Sequence, residues 1–392
     1  MKYWRGYLVA VILAAISGAL IYFAKAHPVL VDMIYPYVTR LIISSLADWT
    51  GALSFCLWQV LLIGFVALGI ASIVLMIMLR WNFVQWLGWV LAVVSCISLC
   101  HTALYGLNKY ASPLADDARL EIIDFTVSEL NEATVYFRDK ANAMAQELPR
   151  NDKGDPEFGT FEELAQQAGE GYRVLTYDHA ISVFAGSTAP VKKLSWSGIY
   201  TLRRQSGVTV PLTGEAAVNP ALPSALMPFA MCKEMAHRIS IYDDADACYA
   251  AFLACISNSS PAFQYSAYLM AYKFCYDAIV SIPTSTAQAC AAQTDKGVNT
   301  QFRSDLEDYT RFYGKTTGTA TVRTQAATMA DPTATGEEEV VVTFSNYSGV
   351  ADMLASWYIG TFILPLHEEE ELPFNPLDPS QVDLTDATVP AA

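Results

Sequence analysis

Charge is what this chain of 392 residues has least of: only 16% of them are charged, against roughly a quarter in an average soluble domain. That scarcity excludes an ordinary soluble enzyme. Basic residues are the rarer sign, 24 Lys and Arg against 39 Asp and Glu, for a net charge of −15. A nucleic-acid partner is excluded with them, because binding phosphates requires a basic surface. The chain also has no CxxC pair, and its eight cysteines form no disulfide framework. Cys56, Cys96 and Cys100 fall in apolar runs, while Cys232, Cys248, Cys255, Cys275 and Cys290 are odd in number and cannot all pair internally. Most sit in helical apolar patterns, where a thiol is a small hydrophobe.

The charge that is present is divided unevenly. Residues 1–110 hold six basic and two acidic residues, net +4, and the rest of the chain carries net −19. Within the first part, Tyr7–Ala24, Ala52–Leu79 and Phe83–Leu104 are each about as long and apolar as a membrane-crossing helix requires. Residues 1–110 are therefore expected to be a membrane anchor of three transmembrane helices, with Arg80–Asn82 as a polar hinge and the lipid bilayer as a partner. Trp4, Trp58, Trp81, Trp86 and Trp89 lie near the ends of these runs or a turn inside them, as interfacial aromatics do. Ala24-Lys25-Ala26 also resembles a small-residue cleavage site, so a signal peptide is the other reading of the first run. Three spans in a multi-pass cell-membrane protein with its N-terminus inside put the acidic part outside. The basic residues do not decide this: Lys2, Arg5 and Arg80 would then be inside, and Lys25, Arg40 and Lys109 outside.

The acidic remainder is long enough to bury a core. Leu130, Ala133, Phe137, Ala141, Met144 and Leu148 predict an amphipathic helix starting at Ser128. Shorter helices are expected near Phe161–Gly169 and Tyr177–Ala185, and strands and turns over Trp196–Asn219. Helices are expected again at Pro228–Ile239, Ala245–Ile256, Pro261–Val280 and Thr300–Phe312. The fold class is thus α+β, mostly helical, with a small sheet drawn from about residues 190–220 and 340–344. The domain is expected over 111–312, followed by a Thr-rich insertion with a short strand (313–347), a C-terminal helix (348–366) and an acidic disordered tail (367–392).

One segment has the composition of a reactive site: Met231-Cys232-Lys233-Glu234-Met235-Ala236-His237, followed by Asp243, Asp244 and Asp246. On a helix, positions 233 and 237 share a face with 234 beside them. With histidine at 233 this would be HExxH, in which two imidazoles hold zinc and the glutamate polarises the metal-bound water. Asp246 is then the expected third ligand, although the three aspartates also suit an acidic N-capping turn.

Pro211-Leu212-Thr213-Gly214-Glu215-Ala216-Ala217-Val218-Asn219 closely resembles a PFTGEANVN segment, and Pro223 and Met227-Pro228-Phe229 resemble the lead into the motif helix. Together with Glu234, Ala236-His237, Asp246-Ala247-Cys248 and the three apolar runs, these residues resemble the bacterial membrane family called domain-of-unknown-function family 3810. The pattern of that family is similar to zinc-dependent, zincin-like metallopeptidases. The resemblance implies a zincin-like extracytoplasmic domain, a catalytic Glu234 if the site is active, and His237 and Asp246 as metal ligands if metal is bound. It also implies Glu215 and Lys233 as pocket residues, and Val208–Leu212 as an edge strand along a cleft.

Lys233, however, stands where the family has its first histidine. An ammonium has no lone pair to donate at neutral pH, and Asp246 is a methylene shorter than the family's glutamate. The expectation is a degenerate site that holds no cofactor, zinc belonging to it only if it works, with Lys233 as a fixed positive charge replacing the metal. His179 is a distant substitute ligand. The expected function is therefore a pseudoenzyme that binds a peptide or a membrane-protein partner. An active metallopeptidase with an atypical ligand set is one alternative, and a membrane scaffold whose spans carry the function is another.

Overall fold

Four stretches of the first 104 residues, not three, form helices long and apolar enough to cross a membrane: α1 (Arg5–Ala26), α2 (Pro28–Gly51), α3 (Leu57–Met78) and α4 (Phe83–Leu104). The three expected runs correspond to α1, α3 and α4. The helix missing from the expectation is α2, whose Asp32, Arg40 and Asp48 interrupt its apolar sequence. The computed structural model describes residues 4–314, 320–324, 340–344 and 349–364. The expected acidic tail (367–392) and most of the expected insertion (313–347) lie outside the described residues.

α1 and α4 run parallel in close contact. A Cβ on Gly6 would stand 2.5 Å from the Gly88 carbonyl carbon, so glycine there lets the two backbones touch. At their other end Ala24 packs with Val31 and Leu107. α3 and α4 form a hairpin in which Asn82 caps α4 by accepting from the Gln85 amide at 3.2 Å.

The remainder is mostly helical with a small sheet. After the short α5 (Leu114–Asp117), α6 (Val127–Glu147) starts at a reciprocal cap of Thr126 and Glu129, two residues before the expected Ser128. Thr160 and Glu163 cap α7 (Phe161–Gln167) in the same manner. α8 (Gly169–Tyr177) ends where the expected helix at Tyr177–Ala185 was to begin. α9 (Ser197–Leu202) then interrupts the expected run of strands. The sheet has the order β1-β3-β2, with β1 (Lys192–Lys193) parallel and β2 (Gly207–Val210) antiparallel to the central β3 (Glu215–Val218). Val340–Phe344 does not join it: as β5 it pairs with β4 (Ala320–Thr324), a strand inside the stretch expected to be a loop.

The core is built on α10 (Met227–Arg238), α11 (Asp244–Ile256) and α12 (Pro261–Ser281), with α6 packed alongside. From Ala247 to Cys255 α11 is enclosed on all sides, and its Ala247, Ala250, Ala251 and Ala254 let neighbours come close. α13 (Ser285–Lys296) was hidden in the sequence by its polar composition, and α14 (Thr300–Tyr313) completes the bundle. α15 (Gly349–Tyr358) shares the same core, where Trp357 meets Phe252 with ring centres 5.0 Å apart.

Candidate functional site

α10 begins with Pro228 in its first turn, where the missing amide hydrogen costs nothing. It presents Lys233, Glu234 and His237 toward the start of α11. The Lys233 ammonium lies 2.5 Å from Asp244 Oδ1, and His237 Nε2 lies 3.5 Å from the same oxygen. His237 Nδ1 faces the Ile241 carbonyl oxygen at 2.9 Å, an acceptor that places the proton on Nδ1. Tyr105, one residue beyond α4, brings its hydroxyl to 3.4 Å from that nitrogen and donates to Ile241 O at 3.3 Å. On the other side, Thr209 of β2 has its hydroxyl 2.8 Å from Glu234 Oε2 and 2.8 Å from the Glu234 carbonyl oxygen. β2 therefore runs beside Glu234, and on its outer edge no strand pairs with it among the described residues.

The charges in this cluster are settled by competition between burial and neighbours. Burial works to discharge Lys233, but Cys248, Asp244 and Glu234 more than offset it and the pKa rises. Burial also opposes the Asp244 charge, yet hydrogen bonding to His237 and the proximity of Lys233 hold that carboxylate well below its ordinary value. For Glu234 burial prevails over His237, Lys233 and Thr209, and its pKa is raised. His237 is raised as well: burial disfavours its cation, while Asp244 and Glu234 favour it.

Asp246 and Glu215 lie elsewhere. Asp243 is the N-cap of α11, accepting from the Ala245 amide at 2.8 Å, which makes Asp244 the first helical residue. At about 100° per residue, Asp246 then points roughly 200° away from Asp244. It accepts from the Leu114 amide at 3.2 Å, and burial, with help from Asp243 and Asp116, raises its pKa to about 6. Asp244 thus takes the place expected for Asp246, and the capping position of Asp243 was the signal that could have shown it. His179 stays in the exposed turn after α8.

Glu215, expected as a pocket residue, is instead a socket for the apolar N-terminal helices. Its Oε1 accepts from the Leu57 amide at 2.7 Å and its Oε2 from the Trp58 amide at 2.8 Å, so the carboxylate caps the positive end of α3. Lys192 Nζ is 2.7 Å from Glu215 and also donates to the carbonyls of Thr50 and Phe55 at 2.8 and 2.9 Å. Beside it Gly214, at φ +67°, lies against α2, where a Cβ would stand 2.5 Å from the Ala47 nitrogen. The Thr213-Gly214-Glu215 turn thus joins the domain to α2 and α3.

These residues do not fit a zinc ion. The first ligand position is a cation already paired, Asp246 faces away, and the Glu234 carboxylate is engaged by Thr209. Among the described residues no group of three or more His, Cys, Asp or Glu converges as a metal site would. Thr209 falls in the Val208–Leu212 stretch expected as the cleft's edge strand but was not singled out, whereas Tyr105 had no sequence signal because it reaches His237 across 132 residues of chain. A separate cleft of about 740 Å³ opens between the 151–159 loop, Pro220–Ser224 and the end of α14, and none of the cluster's side chains lines it.

No curated protein and no solved structure matches the chain. The model of one protein family, described as protein of unknown function (DUF3810), matches residues 32–326. That span runs from α2, through the socket and the Lys233–Asp244 cluster, to β4, well over half of the chain, and the protein therefore belongs to the DUF3810 family.

Proposed function

We propose that the protein is a membrane-anchored pseudoenzyme: a zincin-like domain, held outside the cell membrane, whose former metal site has become a metal-free ion pair. Its remaining capacity is for binding an extended segment of a peptide or membrane-protein partner along the open edge of β2. The observation that carries this is the Lys233 ammonium, 2.5 Å from Asp244 on the face a metal would need. A fixed cation there balances the acidic side chains that a divalent ion would otherwise balance, and repels such an ion. The outer edge of β2 supplies the backbone donors and acceptors that strand addition uses, next to Glu234.

The test is metal analysis of the full-length chain purified in detergent, with and without Lys233→His. The unaltered protein is expected to carry far less than one zinc per chain, and the histidine variant to retain more. Near-stoichiometric zinc in the unaltered protein, or peptide hydrolysis abolished by chelation, would overturn the proposal in favour of a working metallopeptidase.

A further inference from the structure

We infer that α2, although long and apolar enough to span, does not cross the membrane but lies flat at the bilayer surface as a belt between the domain and the lipid. At about 1.5 Å per residue its 24 residues extend roughly 36 Å, and they touch the domain from end to end. Asp32 accepts from the Ser112 amide, and Thr39 donates to the Ser240 hydroxyl oxygen at 3.2 Å. Arg40 donates to the carbonyls of Ile239 and Ser182, both at 3.0 Å. Ser187 donates its hydroxyl to Asp48, and Thr50 donates to the Thr213 carbonyl at 3.2 Å. A helix crossing a bilayer leaves a water-facing domain within its first turns, whereas this one meets it along its whole length.

The chain path agrees. α1 and α4 are parallel and α3 is antiparallel to α4, so the last residue of α1, the first of α3 and the last of α4 all lie at the domain's side. α2 connects two of those points, and a connection that starts and ends on one side has no need to cross. Its polarity is also the reverse of a surface helix in water. Asp32, Thr39, Arg40 and Thr50 face the domain, while Leu30, Met33, Ile34, Tyr37, Leu41 and Trp49, which share one side of the helix, form an apolar row 46–69% exposed. Such a row, continuous with the spans at both ends and carrying a Tyr and a Trp, fits the boundary between headgroups and acyl chains.

Two readouts on the full-length protein in sealed vesicles test this, each in a background where Cys96, Cys100 and the half-exposed Cys290 are serine. An impermeant maleimide is expected to label His27→Cys from the same face of the membrane as Asp152→Cys in the domain. If α2 crossed, His27 would label from the opposite face. A spin label at Leu41→Cys is expected to report a shallow depth, between the water-exposed Asp152→Cys and the mid-span Phe65→Cys. A depth equal to that of Phe65, full access to water, or protection from both lipid and water by a protein neighbour would each overturn the inference.

Discussion

Two lysine–carboxylate pairs, Lys192–Glu215 within the small sheet and Lys233–Asp244 on the helices beside it, are finished to different degrees. At Lys192–Glu215 the side chains are 8% and 0% exposed, and every acid oxygen and ammonium proton has a partner. At Lys233–Asp244 the side chains are 18% and 43% exposed, Asp244 Oδ2 has no hydrogen-bond partner among the described residues, and a single Thr209 hydroxyl faces two Glu234 oxygens. A saturated buried pair fixes architecture, since nothing further can bind without breaking it. An unsaturated one retains capacity for a ligand. The contrast separates the part of the family-like pattern that builds the protein from the part that can act.

The sharpest way to break this contrast is Glu215→Ala. It leaves Lys192 buried without its counter-charge and two α3 amides without an acceptor, and is expected to cost about 3–5 kcal/mol, read as a loss of thermal stability in detergent. A cost below that of Lys233→Ala would show the socket to be dispensable.

Next in size is a gain. Burial raises Asp246 to about 6, above the roughly 3.9 of an unfolded aspartate, so the folded state holds this proton more tightly. Its contribution favours folding below about pH 4 and is lost as pH rises from about 4 to 6. Asp246→Asn is therefore expected to gain up to about 3 kcal/mol at pH 8 and less than about 1 kcal/mol near pH 4. Denaturant unfolding at the two pH values checks this, and an equal effect at both would exclude a titrating Asp246.

The smallest effect is expected from Lys233→Ala, a loss of about 1 kcal/mol, because its partner is open to water. Thermal unfolding checks it. A variant more stable than the parent would remove Lys233 from its role as counter-charge.

Local pattern sufficed for the motif helix, expected at Pro228–Ile239 and found at Met227–Arg238, and for α1, α3 and α4, whose apolar runs need no distant partner. It failed where the deciding contact is remote. α2 was hidden because Asp32, Arg40 and Asp48 look like solvent-facing residues until their partners, Ser112, Ile239 and Ser187, are brought beside them. Glu215 was assigned to a pocket because its true acceptor role depends on amides 158 and 157 residues earlier in the chain. Asp244 and Asp246 differ by two positions, and only the cap at Asp243 decides which of them turns toward Lys233.

Tyr105 has a consequence of its own. It follows immediately on the last residue of α4, and its hydroxyl rests against His237 and Ile241. With α4 read as a span, as proposed, the cluster is held at a set height close to the point where the chain leaves it. A neighbour anchored in the same membrane would offer the cluster only its first few residues beyond the lipid, as a depth gauge with its zero at Tyr105. Confinement to that shared plane raises the local concentration of such segments far above that of a freely diffusing peptide of identical sequence.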